Sequence, residues 1–296
     1  MSRLAIPVRP DTDVARRRAI PIPRQETSPR GRFVVLWRAV IVVFLLAAWQ
    51  LMSGRILPSY AVSDPVDIAK NLGGLLSSAS GWSDIRTTAA EVALGFGAGV
   101  AIGTVGGLIC GSLRTVGAII EPLIAAVNGI PKVALAPLFV LLFGIGQMSK
   151  VAIAATMVAF VVFYSLYYGM RTVRRELEQQ VLLMGGSRLW VLAYVVLPSL
   201  VSPFFAGLKT GAPLAIIGVI IGEFLASFNG IGHLLFVDGN DLDAAGVFSG
   251  LVVLVVFALL LHWLLSALDG LVSRKLGLVS AGGRTTTSAR NERTAK

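Results

Sequence analysis

The sequence contains little charge, little histidine and almost no cysteine. Of its 296 residues 14% are charged, Cys110 is the single cysteine, and His233 and His262 are the two histidines. One cysteine excludes an intramolecular disulfide framework. The two histidines have no acidic or thiol companions at ligand spacing, so we expect no metal site. A glycine-rich phosphate loop ending in Gly-Lys-Ser or Gly-Lys-Thr is also absent, so we expect no catalytic residues and no bound cofactor on this chain.

Apolar residues are abundant instead. They make up 55% of the chain, and the mean hydropathy is +0.78, which is typical of an integral membrane protein. The net charge of +10 is concentrated partly in residues 1–32, which hold eight arginines among five prolines. This composition predicts a disordered tail that can lie on anionic lipid. No aromatic residue occurs there before Phe33, so we expect no binding of nucleic acid.

Six apolar segments are candidates for membrane spans, since a helix needs roughly 20 residues to cross the hydrocarbon core. The sequence therefore predicts an all-α membrane domain over residues 33–272 with a basic tail at 273–296. The spans are expected at about residues 33–52, 88–111, 132–146, 150–170, 204–226 and 246–268. A short amphipathic helix from Pro65 to Leu76 is expected before the second span. The stretch 227–245, with Asp238, Asp241 and Asp243, is expected to be a solvated outer loop.

The basic residues predict which side of the membrane each segment occupies. With six spans, 19 of the 26 lysines and arginines fall in the two tails and in the loops on the same side. Four lie on the other side, namely Arg55, Lys70, Arg86 and Lys150. Because lysine and arginine are enriched in cytoplasmic segments, both termini are expected in the cytoplasm.

The second span carries a regular glycine pattern. Glycines recur every four residues, at Gly95, Gly99, Gly103, Gly107 and Gly111. This spacing places them on one helix face, where another helix backbone can approach closely. We interpret the face as a helix-packing surface. That it also slides during transport is a hypothesis.

A proline interrupts the apolar stretch from 117 to 146. Asn128-Gly129-Ile130-Pro131 predicts a break between a short interfacial helix containing Glu121 and the third span, because proline removes a backbone donor. Broken helices mark the substrate path in some transporters, while an ordinary kink is an equally good interpretation. Pro131, Lys132 and Glu223 are the candidate path residues. For Glu223, an interface residue satisfied by water is the favoured alternative, and Lys132 and Lys209 are better suited to an anion.

The loop at residues 171–198 is charged and apolar at once. Residues 172–184 favour a helix, which Gly185-Gly186 should end. Ser187 can cap a second helix that runs to about residue 196, where Pro198 should stop it. This second helix carries Leu189 and Trp190, more apolar surface than a solvated loop needs, so we expect a protein or the membrane to cover it.

Gly185 followed by Leu197-Pro198 resembles the end of the cytoplasmic loop of ABC importer permeases. The consensus of that loop begins Glu-Ala-Ala, and the corresponding positions here are Gln179, Gln180 and Val181, so the namesake triplet is absent. The resemblance implies docking of an ATPase on this loop. The docking residues would be Gln179, Gly185, Ser187, Arg188, Leu189, Trp190 and Pro198.

Further motifs extend the resemblance over about residues 85–272. They are Glu121-Pro122-Leu123, Gly129-Ile130-Pro131, Ala136-Pro137-Leu138, Phe143-Gly144-Ile145-Gly146 and Gly230-Ile231-Gly232. Together they are similar to the branch that imports sulfonates, taurine and nitrate. The resemblance implies a type I, MetI-like permease of the bacterial inner membrane, paired with a second permease copy. Separate ATPase subunits would bind ATP and magnesium, and an external solute-binding protein would deliver a small, anionic solute.

Two other functions remain open on the residues alone. An ion-gradient-driven secondary transporter would explain the broken span and Glu223, but it does not call for a large cytoplasmic loop, and no inverted repeat is evident. A membrane scaffold or channel subunit without transport activity is the second alternative.

Overall fold

The computed structural model describes residues 31–53 and 62–277, and the regular elements in these ranges are helices. Of the predicted tails 1–32 and 273–296, residues 1–30 and 278–296 lie outside the described residues, whereas residues 31–32 begin the first helix and residues 273–275 end the last one. The helices are α1 (Gly31–Met52), α2 (Pro65–Ser77), α3 (Ala79–Ser112), α4 (Arg114–Asn128), α5 (Ala136–Phe143), α6 (Gln147–Arg171), α7 (Arg175–Leu183), α8 (Arg188–Val191), α9 (Leu197–Ala226), α10 (Ile231–Asn240) and α11 (Ala244–Lys275).

The described residues divide into two units, one that ends at Ala48 and one that begins at Trp49. The first contains most of α1, an apolar helix that is shorter than the other candidate spans. The second contains α2 to α11. In the second unit, the ring of Trp49 meets the ring of Phe248 edge-on, with 5.6 Å between the centroids.

In the described part of the chain, four helices are each long and apolar enough to cross a membrane. They are α3, α6, the continuous helix Arg188–Ala226 and α11. A fifth candidate is the pair Arg114–Asn128 and Lys132–Phe143, whose two parts are bent by 80°. The six expected spans therefore correspond, within the described residues, to four single helices, one broken pair and the shorter α1.

Helix α3 begins nine residues earlier than the predicted span. Ser78 precedes it in extended conformation, and its hydroxyl accepts a hydrogen bond from the Gly81 N–H at 3.0 Å. A serine in this position satisfies a backbone donor that the helix itself cannot. The polar residues 79–87, which precede the predicted span, therefore lengthen α3 beyond its apolar part.

The predicted amphipathic helix after residue 64 is confirmed as α2. Asp64 caps it by accepting from the Asp67 N–H at 2.8 Å, and Pro65 occupies its first turn. Both features favour a helix start. On the inner face Ile68 is buried, and its carbonyl accepts a hydrogen bond from Ser249 of α11 at 3.1 Å.

The break at residues 128–131 is confirmed. Helix α4 ends at Asn128, Pro131 is extended, and a 3₁₀ turn over Lys132–Leu135 leads into α5. The expected third span to residue 146 is wrong in its length, since α5 has eight residues and ends at Phe143. Gly144 follows with φ of +78°, a conformation that glycine adopts without steric cost.

The core lies between α3, α6 and α9. Its fully buried members include Val92 of α3, Val158 and Val162 of α6, and Ala215 and Val219 of α9. Branched and small side chains allow these three helices to pack closely. Helix α6 is the most buried of the candidate spans, so it is the central element of the membrane domain.

The helix after Gly185-Gly186 does not end at Pro198, which corrects that prediction. Residues 188–226 form one helix, with a π-helical turn at Leu192–Val196 directly before Pro198. Proline cannot donate the usual backbone hydrogen bond, and a π turn changes the pairing of the preceding residues. Ser187 occupies the N-cap position, but its side chain makes no capping hydrogen bond.

The prediction of a solvated loop at residues 227–245 is wrong, because residues 231–240 form α10. Asp243 caps α11 by accepting from the Gly246 N–H at 3.1 Å. Asp238 lies at the end of α10, where burial and the nearby carboxylates of Asp243 and Asp241 raise its pKa. Asp238 and Asp243 therefore lie at the turn between α10 and α11, where Asp243 caps the second helix.

Candidate coupling segment and buried polar clusters

Residues 171–198, here called the coupling segment, present apolar side chains to the outside of the fold. Leu183 and Met184 are each 87% exposed, and Leu189 is 74% exposed. Trp190 and Tyr194 are also exposed, with their rings 5.6 Å apart. A surface of this kind in a polar setting indicates a protein partner, and tryptophan and tyrosine are the side chains most often central to such contacts.

The predicted docking residues lie together on this segment. Gln179 is on α7, Gly185 has φ of +83° at the turn, and Ser187 begins α8. The exposed members are Gln179, Gly185, Ser187, Arg188, Leu189 and Trp190, while Pro198 is half-buried. The Gly186 N–H donates to the Val181 carbonyl at 2.9 Å, which closes the turn between α7 and α8.

The coupling segment continues directly into the core at its C-terminal end. Val195, Val196 and Leu200 are buried in the core cluster or beside it. The same helix then continues to Ala226. At 1.5 Å per residue its 39 residues span about 58 Å, so a displacement of α8 is transmitted to α9.

The N-terminal end of the segment joins a second cluster. Glu121 of α4 accepts hydrogen bonds from the hydroxyls of Tyr167 at 2.6 Å and Tyr168 at 2.9 Å. Arg171, the last residue of α6, lies 3.5 Å from the Glu121 carboxylate and stacks on the Tyr167 ring at 4.4 Å. The broken helix is thus tied to the residue where the coupling segment begins.

The five regularly spaced glycines of α3 lie against α6. A Cβ atom would stand 2.6 Å from the Ala155 carbonyl oxygen at Gly99 and 2.5 Å from that of Ala159 at Gly103. The other three positions, Gly95, Gly107 and Gly111, leave 2.6–2.8 Å to atoms of α6. These distances are too short for any side chain, so the two backbones touch along this face.

Three buried charged residues meet at the opposite end of α6. Lys150 of α6 donates to Glu91 of α3 at 2.7 Å and to Ser227 at 2.8 Å. Glu223 of α9 completes this group, here called the buried triad (Glu91, Lys150 and Glu223), and each member is at most 4% exposed. Sequence reasoning missed Glu91 and assigned Lys150 to an outer segment. A charged residue within a predicted span was the signal that could have found Glu91.

Glu223 holds the start of α10. Its carboxylate accepts from the Thr88 hydroxyl at 2.7 Å and from the Gly232 N–H at 2.5 Å. Thr88 in turn accepts from the Ile231 N–H, and Asp84 accepts from the Gly230 N–H, both at 2.8 Å. The interpretation of Glu223 as an interface residue satisfied by water is therefore wrong, because protein groups satisfy both oxygens.

The two lysines that the sequence suggests for binding an anion are already bonded to groups of the protein. Lys132 donates to the backbone and side-chain oxygens of Asn128 at 2.8 Å each and lies 4.8 Å from the Phe160 ring centre. Lys209 pairs with Asp269 of α11 at 2.6 Å. Among the candidate path residues, Pro131 and Lys132 lie at the break, whereas Glu223 belongs to the buried triad.

An apolar cavity of about 440 Å³ lies between α3, α4 and α6. Its walls include Ile102, Cys110, Ile124, Phe160 and Phe163. Phe160 also contacts Lys132 at the break, so the cavity and the broken helix adjoin. The lining suits an apolar or aromatic group far better than a bare anion.

Comparison with known proteins supplies the context for this geometry. Residues 99–275 match the family described as binding-protein-dependent transport system inner membrane component. The chain belongs to this family. A riboflavin transport system permease of Chloroflexus aurantiacus is 30% identical over 85% of this chain and 94% of its own length. The taurine transport system permease of Escherichia coli is 28% identical over 84% of this chain and 90% of its own length.

A solved structure shares the fold. An inward-facing MetNI methionine ABC transporter has a chain that aligns with a TM-score of 0.53 at 17% identity, covering 65% of this chain and 94% of that one. The prediction of a type I ABC importer permease is confirmed. The protein is a multi-pass subunit of the inner membrane, and ATP is hydrolysed on a separate chain. The ion-gradient alternative has no support in these relatives.

Proposed function

We propose that this permease pairs with a second copy to form the translocation path of an ATP-driven importer. Cytoplasmic ATPase subunits dock on the coupling segment, and a solute-binding protein delivers the substrate on the opposite side. Both termini then lie in the cytoplasm with the coupling segment. The observation that carries the proposal is the exposed apolar surface around Leu189 and Trp190, on a helix that continues into the core.

The contacts at the two ends of the segment suggest how docking drives transport. At one end Arg171 and Tyr167 contact Glu121 on the broken helix. At the other end α8 continues into α9. ATP-bound and ATP-free ATPases have different affinities for the two permease conformations, and this difference shifts the equilibrium between them. A movement of the segment therefore reaches both the broken helix and the core.

Replacing Trp190 with aspartate is expected to weaken ATPase binding by about thirtyfold or more, since a central tryptophan in an interface is worth about 2 kcal/mol or more. ATP-driven uptake should fall with it, while the permease remains folded, because Trp190 is exposed. The measurement is co-purification of the ATPase together with uptake in proteoliposomes.

Phe228→Asp is the matched control, because Phe228 is 78% exposed beyond the other end of α9. It should retain the ATPase. Trp190→Asp protein that keeps solute-stimulated ATP hydrolysis would exclude Trp190 from the docking surface.

We propose a small organic anion such as an aliphatic sulfonate or taurine, or the inorganic anion nitrate, as the solute. The sequence motifs and the taurine permease relative support this class. A heterocyclic solute is the second candidate, supported by the riboflavin permease relative and by the apolar cavity beside Phe160. The engagement of Lys132 and Lys209 by protein groups also favours the second class.

A deletion strain distinguishes the two classes. Loss of growth on taurine or an alkanesulfonate as sole sulfur source, or on nitrate as sole nitrogen source, would establish an anionic solute. Normal growth with loss of labelled riboflavin uptake would instead establish the heterocyclic class. Complementation by the intact gene, but not by the Trp190→Asp gene, ties the phenotype to coupled transport.

A further inference from the structure

The buried triad carries an unbalanced charge. Glu91 and Glu223 are each 1% exposed, and Lys150 is 4% exposed. With all three groups ionised, two carboxylates face one ammonium, which leaves one negative charge buried. Burial of an uncompensated charge is costly, and proteins commonly avoid it by changing the protonation of the group.

The hydrogen bonds of the triad leave one position open. Lys150 uses its ammonium on Glu91 Oε1 and on Ser227. Each oxygen of Glu223 already accepts one bond, from Thr88 or from Gly232. Glu91 Oε2 is buried and has no donor. Thr88, which donates to Glu223, lies three residues before Glu91 on α3, so both carboxyl groups lie beside the same face of that helix.

We propose that the buried triad is a proton-binding site, in which Glu223 carries a proton and donates it in a hydrogen bond to Glu91 Oε2. The proton supplies the missing donor and brings the net charge of the three residues to zero. A metal cation fits less well, because the Lys150 ammonium adjoins the same carboxylates and repels it. The site lies at the end of α6 opposite to the coupling segment.

The polar groups around Glu223 come from three elements packed against α9. Helix α3 supplies Asp84, Thr88 and Glu91, α6 supplies Lys150, and α10 supplies the N–H groups of residues 230–232. Asp84 is already bonded to the Gly230 N–H. The proton-binding site therefore lies where four elements meet, namely α3, α6, α9 and the start of α10.

The site predicts a sign for the effect of pH. A proton bound in the folded permease and released on unfolding stabilises the folded form at low pH, and this stabilisation is lost as pH rises. While the folded permease holds the proton and the unfolded chain does not, the unfolding equilibrium constant should increase by up to about tenfold per pH unit, and this increase should stop once the folded form also loses the proton.

The experiment measures unfolding of the full chain in lipid nanodiscs between about pH 6 and 9, with sodium and ionic strength fixed. Wild type should lose stability as pH rises, and Glu223→Gln should lack that component. The glutamine amide donates to Glu91 Oε2 without titrating, although its nitrogen cannot accept a bond as a carboxyl oxygen does. Glu176→Gln, which removes an exposed carboxylate on α7, is the control and should retain the wild-type slope.

Infrared spectroscopy of the wild-type protein gives an independent test. A carboxylic acid carbonyl band should be present at neutral pH, and it should decrease on alkaline titration. Equal pH profiles for wild type and Glu223→Gln would overturn the proposal, as would absence of the band. A stability that depends on sodium at fixed pH and ionic strength would identify a metal cation instead, which also contradicts a proton site.

Discussion

Replacing Lys150 with methionine is expected to lower the free energy of unfolding by about 3–5 kcal/mol. The lysine ammonium lies 2.7 Å from Glu91 inside the fold, with both side chains at most 5% exposed. Methionine fills similar space but leaves the carboxylate without its partner. Removing one member of a buried ion pair costs far more than the pair contributes, because the remaining charge is stranded. Denaturant unfolding of the purified permease in micelles measures the loss.

The double variant Glu91→Gln/Lys150→Met separates this cause from a packing defect. It removes both charges together, so we expect it to recover much of the stability that Lys150→Met loses. Lys70→Met is the matched control, since Lys70 forms an exposed pair with Asp67 at 2.8 Å and surface pairs contribute little. If the double variant is no more stable than Lys150→Met, the unpaired buried charge of Glu91 is not the cause of the stability loss.

Features set by local sequence were predictable. The apolar segments are distinct because a bilayer imposes a length on each span. The break at Pro131 follows from a missing backbone donor, and the turn at Gly185 follows from the freedom of glycine to adopt φ of +83°. The four-residue glycine period of α3 likewise indicated which face of that helix is bare.

Features set by distant contacts were not predictable from the same patterns. Glu91 and Lys150 are 59 residues apart, and Thr88 caps α10 from 143 residues away. No periodicity indicates such partners, so the sequence predicts a loop where α10 lies and a water-satisfied side chain at Glu223. The helix through Pro198 was missed for a related reason, because a π turn is a local rearrangement without a sequence pattern of its own.

Gly99→Leu is expected to prevent stable packing of α3 on α6. A Cβ atom at Gly99 would lie 2.6 Å from both the Ala155 carbonyl oxygen and the Val158 Cβ. Even Gly99→Ala should cost about 1–3 kcal/mol, as overpacking does in a tight core, and leucine should cost more. Helices in a membrane associate through close backbone approach at small residues. With leucine at position 99, α3 and α6 would have to separate along the glycine face of α3.

Gly97 provides the matched control, because it lies two residues away on α3 with nothing within 4 Å of a Cβ. Gly97→Ala should be neutral or stabilising by up to about 1 kcal/mol, since alanine favours a helix over glycine. Unfolding measurements and solute uptake on the two Gly99 variants and on Gly97→Ala then separate two roles of the glycine face. A large loss of stability confined to Gly99 identifies packing, whereas normal stability with lost uptake identifies a surface that slides during transport. Normal stability and normal uptake for Gly99→Leu would exclude both roles.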